Sequence, residues 1–169
     1  VQWVYGPNVF ASGGTGSGTP AIPGNITKIY FKIGSASPTT TYTNFTVSLG
    51  QNVGVATTWA NGTYATGLTQ CFYQSSHQLS TAVGNGWYEL VLQNPFPYDP
   101  NLSLVFEMKQ SAYTCSWNTI SQSNNGQWQR IWGGYSATSG TAGTALVRFG
   151  IDVIPANSMN DAGITDIFS

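Results

Sequence analysis

The sequence predicts an all-β chain: an antiparallel β-sandwich, jelly-roll-like, of about eight or nine strands. Three observations lead there. Apolar residues recur with period two in run after run, and helical periodicity does not appear. The runs are short and separated by Gly, Asn and Pro turn signals such as Pro23-Gly24, Asn85-Gly86 and Gly133-Gly134. Aromatics make up 14% of the 169 residues and charges only 7%, with Thr, Ser, Asn, Gln and 20 glycines where charge would usually stand. That composition suits sheet faces rather than helices.

The elements follow in order. Val1 to Tyr5 opens the domain as a candidate strand. Ile29, Phe31 and Ile33 then share one face, with Lys28, Tyr30 and Lys32 on the other. Those lysines are expected to blunt an exposed edge or to mark a binding face. Phe45, Val47 and Leu49 alternate with Thr46 and Ser48. Thr69 to Gln74, Tyr113 to Trp117 and Trp128 to Trp132 are weaker strand candidates. Tyr88, Leu90 and Leu92 form the next clear run, followed by Leu102, Leu104, Phe106 and Met108. Ala145, Val147, Phe149 and Ile151 close the series. Each run turns one face to a core and one to solvent, as a half-exposed antiparallel strand does. Ser12 to Gly18 and Ser136 to Thr144 read as flexible loops.

Residues 1–155 are thus expected to form one sandwich, and 156–169 a linker followed by an unpaired strand. That strand, carrying Ala162, Ile164, Ile167 and Phe168, has three possible fates. It starts a following module, packs back on its own sandwich, or is donated to another subunit by strand addition.

Charge and apolar content exclude other classes. The formal net charge is −1 with five scattered cations, whereas phosphate contacts need clustered Lys and Arg, so nucleic acid is not an expected partner. No apolar run approaches the ~18 residues of a spanning helix, so membrane insertion is not expected. A chain beginning at Val1 without a basic, apolar leader reads as a mature or excised form, and an extracellular or cell-surface setting is expected.

Cys71 and Cys115 are read as a disulfide tying two strands, contributing up to roughly 4 kcal/mol, with two buried thiols as the alternative. N-x-[ST] sequons occur at Asn25, Asn44, Asn61 and Asn101; they accept glycans only in a host that modifies the motif.

Catalytic chemistry finds little to use. The single histidine, His77, lies in the polar stretch Gln74 to Gln78 and reads as a solvated loop residue. No G-x-S-x-G is present. Glu89 and Glu107 fall at outward positions of neighbouring runs and could approach as a carboxylate pair, although solubilising surface charges are the plainer account. Asp99 and Asn101 in Pro97-Tyr-Asp-Pro-Asn101 could contribute oxygens to a calcium ion, but turn chemistry explains them better. No cofactor or metal is otherwise implied, and no enzyme activity is expected.

Aromatics are the remaining chemistry. Trp59, Trp117, Trp128, Trp132 and Tyr135 lie in polar, turn-rich sequence. Flat rings stack on sugars, and Asn, Gln and Thr bond hydroxyls without charge; the same tryptophans also serve sandwich cores. Trp128, Trp132 and Tyr135 are the best binding candidates, beside Asn124-Asn-Gly126 and Gly133-Gly134.

Several segments together resemble a known family. Val1-Gln-Trp-Val-Tyr5, Ile26 to Ile33, Thr41-Tyr-Thr-Asn-Phe-Thr46, Gly86 to Leu92, and Asn94-Pro-Phe with Asn101-Leu-Ser-Leu-Val105 occur in that family's order. They resemble the β-sandwich modules of large secreted and cell-surface proteins of Bacteroidota-type bacteria. Those proteins are exported by the type 9 secretion system and include gliding-motility adhesins. The family's next repeat commonly opens with an Asp-Ala/Leu-Gly-Ile/Val-Thr strand, similar to Asp161 to Thr165. The resemblance implies adhesion, scaffolding or sugar binding, and it carries no catalytic residues.

The expectation is therefore a noncatalytic extracellular module for adhesion or structural scaffolding. The alternatives are a carbohydrate-binding module, and a filament or capsid-like subunit exchanging its C-terminal strand. Expected partners are copies of itself, neighbouring modules or a neutral polysaccharide.

Overall fold

A computed structural model describes residues 1–10, 21–33, 39–54, 58–59, 62–79, 86–115, 121–123 and 129–156. Among them lie twelve strands: β1 (Gln2–Tyr5), β2 (Gly24–Lys32), β3 (Thr40–Gly50), β4 (Thr69–Leu79), β5 (Trp87–Tyr98), β6 (Leu104–Lys109), β7 (Ala112–Tyr113), β8 (Ser121–Ser123), β9 (Arg130–Trp132), β10 (Thr141–Gly143), β11 (Ala145–Val147) and β12 (Phe149–Pro155). The count exceeds the expected eight or nine because β7, β8, β10 and β11 hold only two or three residues each. No described helix is long and apolar enough to cross a membrane.

The strands form an antiparallel β-sandwich. The large sheet runs β10-β9-β1-β6-β3-β4, with β7 continuing along β3 beyond the end of β6; the small sheet runs β12-β2-β5, and β11 pairs with β8. The connections β1–β2, β2–β3, β4–β5 and β5–β6 cross from one sheet to the other, as in jelly rolls. The predicted run from Ala145 to Ile151 divides between two partners, Ala145–Val147 on β8 and Phe149 onward on β2.

Alternation places the core. Ile29, Phe31, Phe45, Val47, Leu49, Leu90 and Leu92 are all buried on the inner faces, as the period-two pattern requires. At the centre Phe106 of β6 stacks on Trp3 at 5.3 Å, on Phe31 at 5.7 Å and on Phe149 at 4.5 Å between centroids. These contacts join both sheets in one aromatic stack worth more than its buried area alone.

The outer face of the large sheet departs from expectation. Val4, Val105 and Ile131 point outward yet are fully buried, beneath Trp59, Tyr64 and the partly buried Leu68 and Ala142. Trp59 and the 62–68 segment lie across this face, so the sheet is covered on both sides over β9, β1 and β6. Ser136 to Thr144 is accordingly not the plain loop its composition suggests: Thr141–Gly143 pairs with β9, and Ser139 bridges Thr63.

Three glutamines hold segments together by the same device, a side-chain amide paired with both polar atoms of one distant residue. Gln2 accepts from Ala65 N–H at 2.8 Å and donates to Ala65 C=O at 3.0 Å. Gln51 does so with Asp99 at 2.9 and 2.8 Å. Gln93 of β5 does so with Tyr73 of β4, at 2.9 and 3.0 Å, and so links the facing edges of the two sheets. An amide side chain supplies one donor group and one acceptor in the spacing of a peptide, and here it stands in for a neighbouring strand.

Several expectations are corrected by this architecture. β2 is the central strand of the small sheet, because β12 returns to pair on its far side; Lys28 and Lys32 therefore guard no edge. Cys71 and Cys115 are both free thiols. Cys71 lies at the irregularity opposite Val47 and Ser48, whereas Cys115 bonds Thr39 and Thr40 at the other end of β3. Seven residues of extended strand, about 23 Å, separate those points, far beyond the ~7 Å limit for Cα atoms of a disulfide.

Candidate functional site

His77 is not a solvated loop residue. It belongs to β4 and is buried at 9% exposure, stacked on Phe45 at 4.8 Å. One ring nitrogen bonds the Gln74 side chain and the other the Tyr88 hydroxyl, the latter at 3.1 Å. Burial lowers its pKa below the ordinary value. Both nitrogens are thus committed to structure, with the imidazole joining β4 to β5.

Glu89 and Glu107 do not meet. Glu89 lies on the outer face of the small sheet, bonded by Lys28 at 3.2 Å and by Tyr30. Glu107 lies on the outer face of the large sheet, 5% exposed, where Gln2 donates to it at 2.7 Å and Lys109 pairs with it at 3.3 Å. The whole sandwich stands between them, because outward positions in different sheets point in opposite directions. Asp99 Oδ1 accepts from the backbone N–H and the side chain of Asn101 at 2.9 and 3.0 Å, the geometry of a turn. Among the described residues no group of three or more His, Cys, Asp or Glu converges.

The sequons differ in setting. Asn25 is a ladder residue of β2, paired with Pro97 and Ile154. Asn44 bends β3 at φ 51° and spends both side-chain atoms on Ser111 and Tyr73. Asn101 is exposed in its turn. Asn61 lies outside the described residues.

The aromatic candidates separate clearly. Trp59 is 2% exposed and belongs to the layer over the large sheet, so it offers no ring face to a ligand. Trp117, Trp128 and the tail positions Ala162, Ile164, Ile167 and Phe168 lie outside the described residues. Trp132 and Tyr135 are 39% and 49% exposed, and both line a cleft of about 200 Å³.

That cleft lies where the second layer, through Tyr64, meets the ends of β6 and β9. β9 brings Trp132 to the edge region of the large sheet, and the chain turns at Gly133-Gly134 to present Tyr135. Met108 and Lys109 at the end of β6 form another part of the wall. Trp132 is positioned by what its neighbours lack. Gly143, opposite Arg130 on β10, carries no side chain, and the outer edge of the indole lies 2.5 Å from where a Cβ would stand. Arg130, two residues before Trp132 and therefore on the same face, lays its guanidinium 4.2 Å from the indole centroid.

Tyr64 also borders the cleft, and sequence reasoning missed it. It lies in Gly62-Thr-Tyr-Ala-Thr-Gly67, which has no alternation to mark it. The residue is 8% exposed, and its hydroxyl has no hydrogen-bond partner. Its pKa is raised, chiefly by burial and further by the charge of Glu107. An unpartnered buried hydroxyl is uncommon and costs on the order of 1–3 kcal/mol. The cleft therefore combines two exposed rings, a lysine and an unspent hydroxyl, and it lacks a nucleophile–base pair.

Comparison with protein-family models, with curated proteins and with solved structures finds no match for this chain.

Proposed function

We propose that this chain is a noncatalytic extracellular β-sandwich module for adhesion, and that the Trp132–Tyr135 cleft is its contact site for a saccharide. The observation that carries the reading is the pair of exposed rings beside the unpartnered Tyr64 hydroxyl. Rings supply flat apolar surface for the C–H faces of a sugar, and the hydroxyl supplies a bond that a sugar hydroxyl can complete. The volume of about 200 Å³ suits one or two sugar rings rather than a long enclosed chain. The resemblance of several segments between Val1 and Thr165 to type 9 secretion cargo modules is a further reason to propose a surface setting. A glycan array followed by calorimetry tests the reading. We expect retention of at least one saccharide class and loss of it in Trp132→Ala. Unchanged binding in Trp132→Ala, or no retention of any glycan, sinks it.

A further inference from the structure

We infer that the saccharide taken by this cleft is anionic, and that Arg130 beside Trp132 holds its carboxylate or sulfate group. The inference rests on the cleft being the saccharide site proposed above, and it specifies the ligand's charge.

The chain as a whole is nearly neutral, at −1. The cleft and its immediate neighbours are not. Lys109 lines it, and Arg130, outside the lining itself, stacks on the Trp132 indole that does; the carboxylate beside Lys109 is Glu107. Glu107 is already engaged: Gln2 donates to it at 2.7 Å and Lys109 pairs with it at 3.3 Å. Lys28 likewise has its acid, Glu89, at 3.2 Å. Arg130 has none: among the described residues no carboxylate forms an ion pair with it, and its buried Nε–H has no acceptor.

A partly buried guanidinium without an acid is costly to keep, since it gives up water and receives only the indole face in return. Burial lowers its pKa, which is the same cost seen from the proton. The stack on Trp132 fixes the plane of the guanidinium against a residue that itself lines the cleft. A planar fork of N–H donors, fixed in orientation and lacking an acceptor, matches the oxygens of a carboxylate or sulfate. A sugar ring on Trp132 would carry such a group within reach of Arg130. Neutral sugars leave the unpaired charge as it is, whereas uronates and sulfated sugars neutralise it.

Three polymers on one backbone separate the possibilities: dextran, carboxymethyl-dextran and dextran sulfate, tested by affinity electrophoresis and calorimetry at low and high salt. We expect binding to one or both anionic polymers and not to dextran. Arg130→Gln should weaken it about tenfold or more, the loss of a charge-assisted contact, and Arg130→Lys less. Arg148→Gln removes a cation from outside the cleft and should leave binding unchanged. A melting curve for each variant confirms that it folds, and Arg130→Lys keeps the charge if Arg130→Gln does not. Equal binding to dextran overturns the inference and leaves the saccharide site standing. Binding that Trp132→Ala abolishes and Arg130→Gln leaves intact does the same. Equal losses in Arg130→Gln and Arg148→Gln mean diffuse attraction and also overturn it. Failure to bind either anionic polymer overturns the inference, whereas the site itself falls only if the glycan array also retains nothing.

Discussion

Replacing Gln2 by Glu exchanges one heavy atom, Nε2 for an oxygen, and should unseat the second layer of the large sheet. Gln2 is 1% exposed, and its amide makes three bonds: two with Ala65 and one, at 2.7 Å, with Glu107. The carboxylate of Glu has the same shape but no donor. The bond to Ala65 C=O is lost, at about 1 kcal/mol, and so is the charge-assisted bond to Glu107, at roughly 1.5–3 kcal/mol. A second carboxylate now faces the first at the distance of a hydrogen bond. The pair avoids that repulsion by holding a proton, which itself costs free energy at neutral pH. We expect a total of about 3–5 kcal/mol, a large share of the ~5–15 kcal/mol typical of a domain. Urea titrations of the two proteins at pH 7 and pH 5, followed by tryptophan fluorescence, measure it. The sign with pH is distinctive. The folded variant keeps a proton that its unfolded chain releases near the ordinary carboxylate pKa, so its deficit should shrink as pH falls. A loss below 1 kcal/mol at pH 7, or a deficit independent of pH, would refute this account of Gln2.

Other outcomes follow from the same packing. Gly143→Val places a side chain where the Trp132 indole stands 2.5 Å away; it should cost about 1–3 kcal/mol in a urea melt and abolish saccharide binding, whereas unchanged binding would show that the indole does not need that space. Cys115 should react with a thiol reagent in the native protein and Cys71 only on unfolding, since burial pushes the Cys71 pKa up to about 11; a native protein with no titratable thiol would contradict the first expectation, and one with two the second. Burial keeps His77 neutral in the fold, while the unfolded chain takes up its proton below about pH 6.5, so the stability His77 contributes is present above that pH and lost as pH falls toward the lowered folded value. His77→Gln should therefore flatten the decline in stability between pH 7 and 5.5, and parallel declines in variant and parent would exclude that role.

The strands were legible because burial on one face of a sheet writes itself as alternation. Ile29, Phe31 and Ile33 are all 2% exposed or less, as their spacing requires. Alternation fails as a guide when a second layer covers the outer face. Val105 and Glu107 read as outward and solvated, yet they are buried by residues some forty positions away, and nothing local signals that cover. Strand order was equally hidden: the place of β2 between β12 and β5 depends on a segment more than a hundred residues later. His77 misled because Gln74-Ser-Ser-His-Gln78 is polar enough for a loop, while its register opposite Tyr42 makes it a strand residue. For the site, Trp132 and Tyr135 stood out as aromatics beside Gly133-Gly134. Tyr64 and Arg130 did not, since an absent hydrogen-bond partner is a property of the fold and not of composition.

The glutamine clamps also determine how this molecule would age. Because Gln2, Gln51 and Gln93 are uncharged and their clamps are made to backbone groups, neither brine nor mild acid acts on those paired bonds directly. Their weakness is slow hydrolysis of the amide, to which Gln and Asn are prone on prolonged heating. Each such event converts glutamine to glutamate and turns a donor into an acceptor at a junction between distant segments. Deamidation at any of the three would open a seam between distant segments while the aromatic centre was still intact.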